Sequence, residues 1–305
     1  MNVDVEQPPH RHRHAFGRNL VRKIPLSPVV KGHIVAVIGE FVGTFCFLFF
    51  AFTGAQTANV SSNPNTGTTV ITQTAQKNPS QLLYISLAFG FSLAVNAWVF
   101  FRISGGLFNP AVTLGMVIIN AITYLRGVLL FIAQMLGAIA AAFVVQALFT
   151  GKLNVATTLS TTTTNAQGVI IEMILTAQLV FTIFMLAAEK HTGNFIAPVG
   201  IGLSLFIAEL TGVFWTGGSL NPARSFAPSV ATASFDKEQW VYWVGPCAGS
   251  ILAVILFKVV KILEYDTANP DPEAHATTGP TLDVARPSTS TAVHSSESDT
   301  AGKMV

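Results

Sequence analysis

Polar and apolar residues fall along this chain in long blocks, not at the short periods of a soluble domain. Six apolar blocks, near 34–54, 82–101, 127–149, 168–188, 196–215 and 240–262, are each long enough to cross a hydrocarbon core of about 30 Å as a helix. Two further apolar stretches open after the second and fifth blocks and are too short to span. Polar sequence makes up both ends, 1–33 and 263–305, and the connectors 55–81 and 150–167. The pattern predicts an all-α integral membrane fold of six transmembrane helices plus two short helices that enter and leave on one side. Small residues recur every four positions in several blocks (Gly39/Gly43, Ser86/Gly90/Ala94, Gly200/Ser204/Ala208/Gly212, Gly245/Gly249), which predicts close helix packing in lipid.

Composition agrees with the blocks. Half of the 305 residues are hydrophobic, only 10% are charged, and the mean hydropathy is +0.54. A soluble domain carries about a quarter charged residues. The net charge of +2 points to no nucleic acid, because the basic residues gather at the N-terminus. There His10-Arg11-His12-Arg13-His14 precedes Arg18, Arg22, Lys23 and Lys31, which reads as a solvated basic tail at a cytoplasmic membrane face. Cys46 and Cys247 lie in apolar runs and read as free, buried thiols. No metal-ligand spacing, nucleophile elbow or phosphate loop occurs, so no enzyme, metal or cofactor is expected.

One seven-residue phrase occurs twice: Gly105-Gly106-Leu107-Phe108-Asn109-Pro110-Ala111 and Gly217-Gly218-Ser219-Leu220-Asn221-Pro222-Ala223. Each reads as a helix start, with Asn as cap and Pro in the first turn, where its missing N–H costs nothing. The surroundings repeat in register. Gly90 and Gly202 each lie nineteen residues before their Asn, and Gly137 and Gly249 each lie twenty-eight after. Glu40 has Thr44 four residues on, and Glu172 has Thr176. The chain is therefore a duplication, 34–149 and 168–262. Three spans per copy is odd, so the second copy enters the membrane inverted. The N-tail, Arg102, Arg126, Lys190 and Lys258/Lys261 are placed on the cytoplasmic side, with 55–81 and 150–167 outside and both termini cytoplasmic. Asn59-Val60-Ser61 is then a glycosylation sequon on the permitted side. The 55–81 segment reads as either a flexible passive loop or a cover over the mouth, and 263–305 as disordered.

The paired Asn-Pro-Ala phrases, with Arg224 and Ser225 after the second, resemble the aquaporins, the major intrinsic protein family, over roughly Ile34 to Leu263. The resemblance implies an inverted repeat in a right-handed bundle, with two half-helices meeting at mid-membrane and Asn109 and Asn221 facing the lumen. Their positive ends would repel cations and protons, as in aquaporin-type pores generally. It also implies a homotetramer in the plasma membrane conducting water, with hydrogen peroxide or other small neutral solutes besides. Glu40 and Glu172 match buried family carboxylates that hold the half-loop backbones. Tyr242-Trp243 and Ser225 after Arg224 resemble water channels; glycerol facilitators tend to carry Asp after that Arg.

The outer filter is where the sequence departs from the family. Ungapped counting puts its four positions at Phe89, Glu209, Gly218 and Arg224, where water-selective members carry His in place of Glu209. Gly218 is smaller than the common residue and predicts spare room on that wall. Glu209 has two readings: an ion pair with Arg224 lining the mouth, or a carboxylate turned to the helix end and bulk water. Three functions compete: a passive channel, including a glycerol-type facilitator; an ion-coupled transporter, which inverted repeats with broken helices also build; and a membrane scaffold using the outer loops. A transporter needs a titratable group at the midplane, where the two phrases offer only neutral amides and backbone.

Overall fold

The computed structural model describes residues 25–61, 78–189 and 192–268. The His/Arg run, Lys190, most of the 55–81 segment and nearly all of the C-terminal tail lie outside the described residues. The chain divides into two units, Met1–Val259 and Val260–Val305. In the second, the described part ends in a short turn of helix, Tyr265–Ala268, where the Lys261 ammonium lies 5.6 Å from the Tyr265 ring centre.

All regular structure among the described residues is helical: α1 Pro28–Ser61, α2 Pro79–Phe100, α3 Pro110–Ile118, α4 Tyr124–Leu148, α5 Asn165–Ile183, α6 Ala197–Trp215, α7 Pro222–Ala231 and α8 Val241–Ile262. Six of these are long and apolar enough to cross a membrane. The remaining two, α3 and α7, have 9 and 10 residues. At 1.5 Å per residue they are about 14 and 15 Å long, so that end to end they match one hydrocarbon core of about 30 Å.

The starts are set locally. Asn78, Thr123 and Thr164 cap α2, α4 and α5, and Thr164 with Gln167 forms a reciprocal capping box. One end departs from the sequence reading. The first block ends at 54 by hydropathy, yet α1 continues to Ser61, because its last two turns bond to a neighbouring segment described below. The end of α5 widens into a π turn, Phe184–Ala188, whose carbonyls are gathered by Asn194: its Nδ2 donates to Leu186 and Glu189.

Packing follows the internal repeat. α2 and α6 cross at Gly90 and Gly202, where a Cβ at Gly90 would lie 3.0 Å from Gly202 O and one at Gly202 2.6 Å from Gly90 O. α1 packs on α4 and α2, and α5 on α6. Gly137 of α4 meets Phe41 O and Thr44, while Gly249 of α8 meets Met173 O and Thr176, the same contact made twice. The small-residue spacing thus places backbones against backbones.

The distribution of polarity is inverted relative to a soluble protein. Phe50, Phe91, Trp98, Leu125, Ile174 and Ile255 are exposed, while Glu40, Gln134, Glu172, Glu209 and Arg224 are buried. Apolar side chains outside and carboxylates inside suit lipid as the surround.

Candidate functional site: where the two half-helices meet

Each half-helix starts from the same backbone device. Gly105 and Gly106 have φ of 106° and 66°, and Gly217 and Gly218 have 84° and 63°, a left-handed path that glycine adopts freely. The next-but-one residues, Phe108 and Leu220, are also left-handed, at 49° and 51°. Such backbone in a bulky residue costs about 1–2 kcal/mol and needs a surround that holds it.

The buried carboxylates supply that hold. Glu40 Oε1 accepts from Leu107 N at 3.0 Å and Ser104 Oγ at 2.8 Å, and its Oε2 accepts from Phe108 N at 2.8 Å and Gln134 Nε2 at 2.8 Å. Glu172 repeats the arrangement: Oε1 accepts from Ser219 N at 3.0 Å and Thr216 Oγ1 at 2.6 Å, and Oε2 from Leu220 N at 2.8 Å. Both carboxylates are fully buried. Tyr242 adds a brace, its hydroxyl donating to Thr216 O at 2.8 Å. A carboxylate occupied this way fixes a loop.

The two Asn residues meet across the centre. Asn109 Oδ1 accepts from Ala111 N at 2.9 Å, and Asn221 Oδ1 from Ala223 N at 3.0 Å and Arg224 N at 3.3 Å, each capping its own helix. Their amide nitrogens cross over: Asn109 Nδ2 donates to Leu220 O and Asn221 Nδ2 to Phe108 O, both at 2.8 Å. Each left-handed residue therefore has its N–H held by a carboxylate and its carbonyl by the opposite Asn. An amide nitrogen carries two N–H groups, so one per Asn remains for the cavity that both line. That cavity has a volume of about 20 Å³ and is walled by Leu93, Val112, Leu179 and Leu205 besides the two Asn and Arg224. A second, of about 140 Å³, opens beside Ala97, Phe101, Ser104 and Gly106.

Arg224 sits at the Gly218 side. Its guanidinium carbon lies 4.7 Å from the Phe89 ring centre and 5.5 Å from that of Phe52. Nε donates to Gly218 O at 3.0 Å, Nη1 to Val155 O at 2.6 Å and Nη2 to Gly217 O at 3.5 Å. Only 3% of Arg224 is exposed.

Glu209 excludes one of its two readings and changes the expectation of spare room beside Gly218. It is fully buried, so it does not face bulk water. Its carboxylate lies against Gly218, where a Cβ would overlap Oε2 and lie 2.8 Å from Cδ. The room expected beside Gly218 is therefore filled by Glu209. Nε, Nη1 and Nη2 of Arg224 point to carbonyls, and Glu209 acts on the guanidinium through its charge.

Asn59, the sequon asparagine, lies within α1, its Nδ2 donating to Asn154 O at 2.6 Å and its Oδ1 accepting from Gln81 Nε2 at 2.7 Å. One N–H of the amide nitrogen a glycan would need is engaged. Sequence reasoning missed Val155 and Phe52. A backbone acceptor has no residue-type signature, and Phe52 is one of many aromatics on α1.

A family model described as "Major intrinsic protein" matches residues 30–257. The chain is 60% identical over 257 residues to "Aquaporin-7" of Botryotinia fuckeliana (strain B05.10), covering 84% of this chain and 56% of that one. It is 57% identical over 265 residues to "Probable aquaporin-5" of Gibberella zeae (strain ATCC MYA-4620 / CBS 123657 / FGSC 9075 / NRRL 31084 / PH-1), covering 86% and 48%. The chain thus spans about half the length of these curated relatives. The X-ray structure of the aquaglyceroporin from Plasmodium falciparum shares the fold, with a TM-score of 0.64 at 21% identity, covering 77% of this chain and 99% of that one. Six spanning helices, two capped half-helices and a family match across three quarters of its length together mean that this chain belongs to the major intrinsic protein family.

Proposed function

We propose that the chain is a passive channel for water, admitting hydrogen peroxide and other small neutral solutes and rejecting protons and ions. The observation that carries this is the central cavity, of about 20 Å³, lined by both Asn side chains at the starts of opposed helices. One water needs about 10–15 Å³ on a comparable measure, so passage there is single file.

Each helix start contributes roughly half a positive charge. A water at the centre accepts the spare N–H of Asn109 and Asn221 through its lone pairs. Its own hydrogens then point away towards both exits, which interrupts a proton wire. A cation arriving there sheds its hydration between two positive helix ends and aliphatic walls, and finds no ligand. At the Gly218 end, Phe89 and Arg224 narrow the path, Gly218 gives it a backbone wall, and Glu209 fills the space behind that wall. A facilitator of the glycerol type is the second reading.

A coupled transporter is disfavoured because Glu40 and Glu172, the carboxylates that hold the two loops, are fully buried and occupied by hydrogen-bond donors. The same reading puts the two repeats at 34–149 and 168–262 and both termini in the cytoplasm. It makes the assembly a homotetramer in the plasma membrane.

The test is osmotic shrinkage of proteoliposomes without an ion gradient, alongside peroxide, glycerol and urea uptake. Water and peroxide should pass quickly, and glycerol and urea slowly. Absence of water flux sinks the reading, and flux that needs an ion gradient selects the transporter.

A further inference from the structure

The filter arginine is held by a latch that begins outside both Asn-Pro-Ala loops. We propose that Gln56, with Asn59 one turn further along α1, positions Arg224 by fixing the backbone of residues 152–155. This rests on the reading of Arg224 as a filter residue and adds the groups that set its place.

Gln56 is 3% exposed. Its Nε2 donates to Lys152 O at 3.0 Å and its Oε1 accepts from Asn154 N at 2.7 Å. One side-chain amide thus pairs with the acceptor and donor of an extended segment as a neighbouring strand would. Asn59 takes the carbonyl two residues on, Asn154 O, at 2.6 Å, and is itself held by Gln81 of α2 at 2.7 Å. The residue that follows, Val155, has a buried side chain, and its carbonyl accepts from Arg224 Nη1 at 2.6 Å. The far end of the segment is tied where Ser160 N donates to Trp215 O at 2.8 Å.

The other carbonyls around Arg224 belong to its own loop, at Gly217 and Gly218, and move with it. Val155 O is the acceptor from a separate part of the chain, and it faces the outer end of the guanidinium. Without the latch, residues 152–155 lose the three bonds that set their height over the mouth. Arg224 then keeps Nε on Gly218 O, and its tip is free to swing away from Phe89 and widen the opening.

The latch is tested by the ratio of glycerol or urea to water permeability in proteoliposomes, a quantity independent of the number of inserted copies. Gln56→Ala should raise that ratio several-fold. Asn59→Asp keeps the acceptor for Gln81 and loses the donor to Asn154, so it should raise the ratio by less. Gln56→Glu keeps the bond from Asn154 N, loses the donor to Lys152 O, and should fall between wild type and Gln56→Ala. In an Arg224→Ala background, Gln56→Ala should add nothing to the ratio. An unchanged ratio in both Gln56→Ala and Asn59→Asp overturns the proposal. Should neither variant insert, hydrogen exchange in the wild type decides: a protected Asn154 amide supports the latch, and an amide exchanging at the rate of free peptide overturns it. Loss of wild-type water flux would instead strike the channel reading itself.

Discussion

Gly218→Ala separates a backbone effect from a side-chain effect at the filter, and the structure sets a magnitude for each. Gly218 has φ of 63°, where an L residue costs about 1–2 kcal/mol. The new methyl would also overlap Glu209 Oε2 and lie 2.8 Å from Cδ and 3.1 Å from Oε1. Glu209 is fully buried, so its carboxylate has no solvent to retreat into. Forcing it off a rotamer adds about 0.5–1.5 kcal/mol, and moving it relative to Arg224 disturbs a buried charge pair whose disruption costs about 3–5 kcal/mol at most. Gly218→Ala should therefore destabilise the wild type by about 2–4 kcal/mol. With Glu209→Ala already in place the clash is gone and only the backbone part, about 1–2 kcal/mol, remains. The assay is a double-mutant cycle read by denaturation in mixed micelles, with water flux measured on each protein that inserts. A Gly218→Ala cost that is the same in both backgrounds, within the ~0.5 kcal/mol scatter of additive pairs, refutes the packing of Glu209 against Gly218.

Glu172→Ala leaves the amides of Ser219 and Leu220 and the Thr216 hydroxyl without their acceptor. At about 1–3 kcal/mol per orphaned buried group, the folded yield in detergent should collapse, with Glu172→Gln less affected because it keeps one oxygen; a normal yield of Glu172→Ala would contradict the holding role. Arg224→Val removes a charge and uncovers the carbonyls of Val155 and Gly218, so a cation current should appear in planar bilayers. Silence there would mean that the helix ends exclude cations unaided. Asn59 has its amide nitrogen bonded to Asn154 O, and the mature protein should show no mobility shift attributable to Asn59 on endoglycosidase treatment.

What the sequence made legible was whatever recurs at fixed spacing. The caps at Asn109 and Asn221, the helix crossing at Gly90 and Gly202, and the carboxylates at Glu40 and Glu172 are all local or in-register features. The end of α1 was hidden for the opposite reason. Residues 55–61, Ala-Gln-Thr-Ala-Asn-Val-Ser, read as loop by polarity. They stay helical where Gln56 and Asn59 find partners ninety-five residues and more away. Val155 contributes a carbonyl, which every residue type possesses. No composition or period could have singled it out.

The filter could have been read more sharply by asking where the two copies disagree. At an offset of 112 residues, Arg224 corresponds to Val112, Glu209 to Ala97 and Gly218 to Gly106. The glycine is shared, and in both copies it lies against the residue in question: Gly106 beside Ala97, Gly218 beside Glu209. One mouth is therefore neutral and opens onto the cavity of about 140 Å³, while the other carries a buried guanidinium and a buried carboxylate. A lone buried arginine would be costly, and a lone buried glutamate equally so. Arriving together they add no net charge to that end, and the carboxylate also fills the volume that the shared glycine leaves. The repeat builds the same loop and half-helix twice, and the symmetry breaks at one end in two residues, Arg224 and Glu209, of opposite charge.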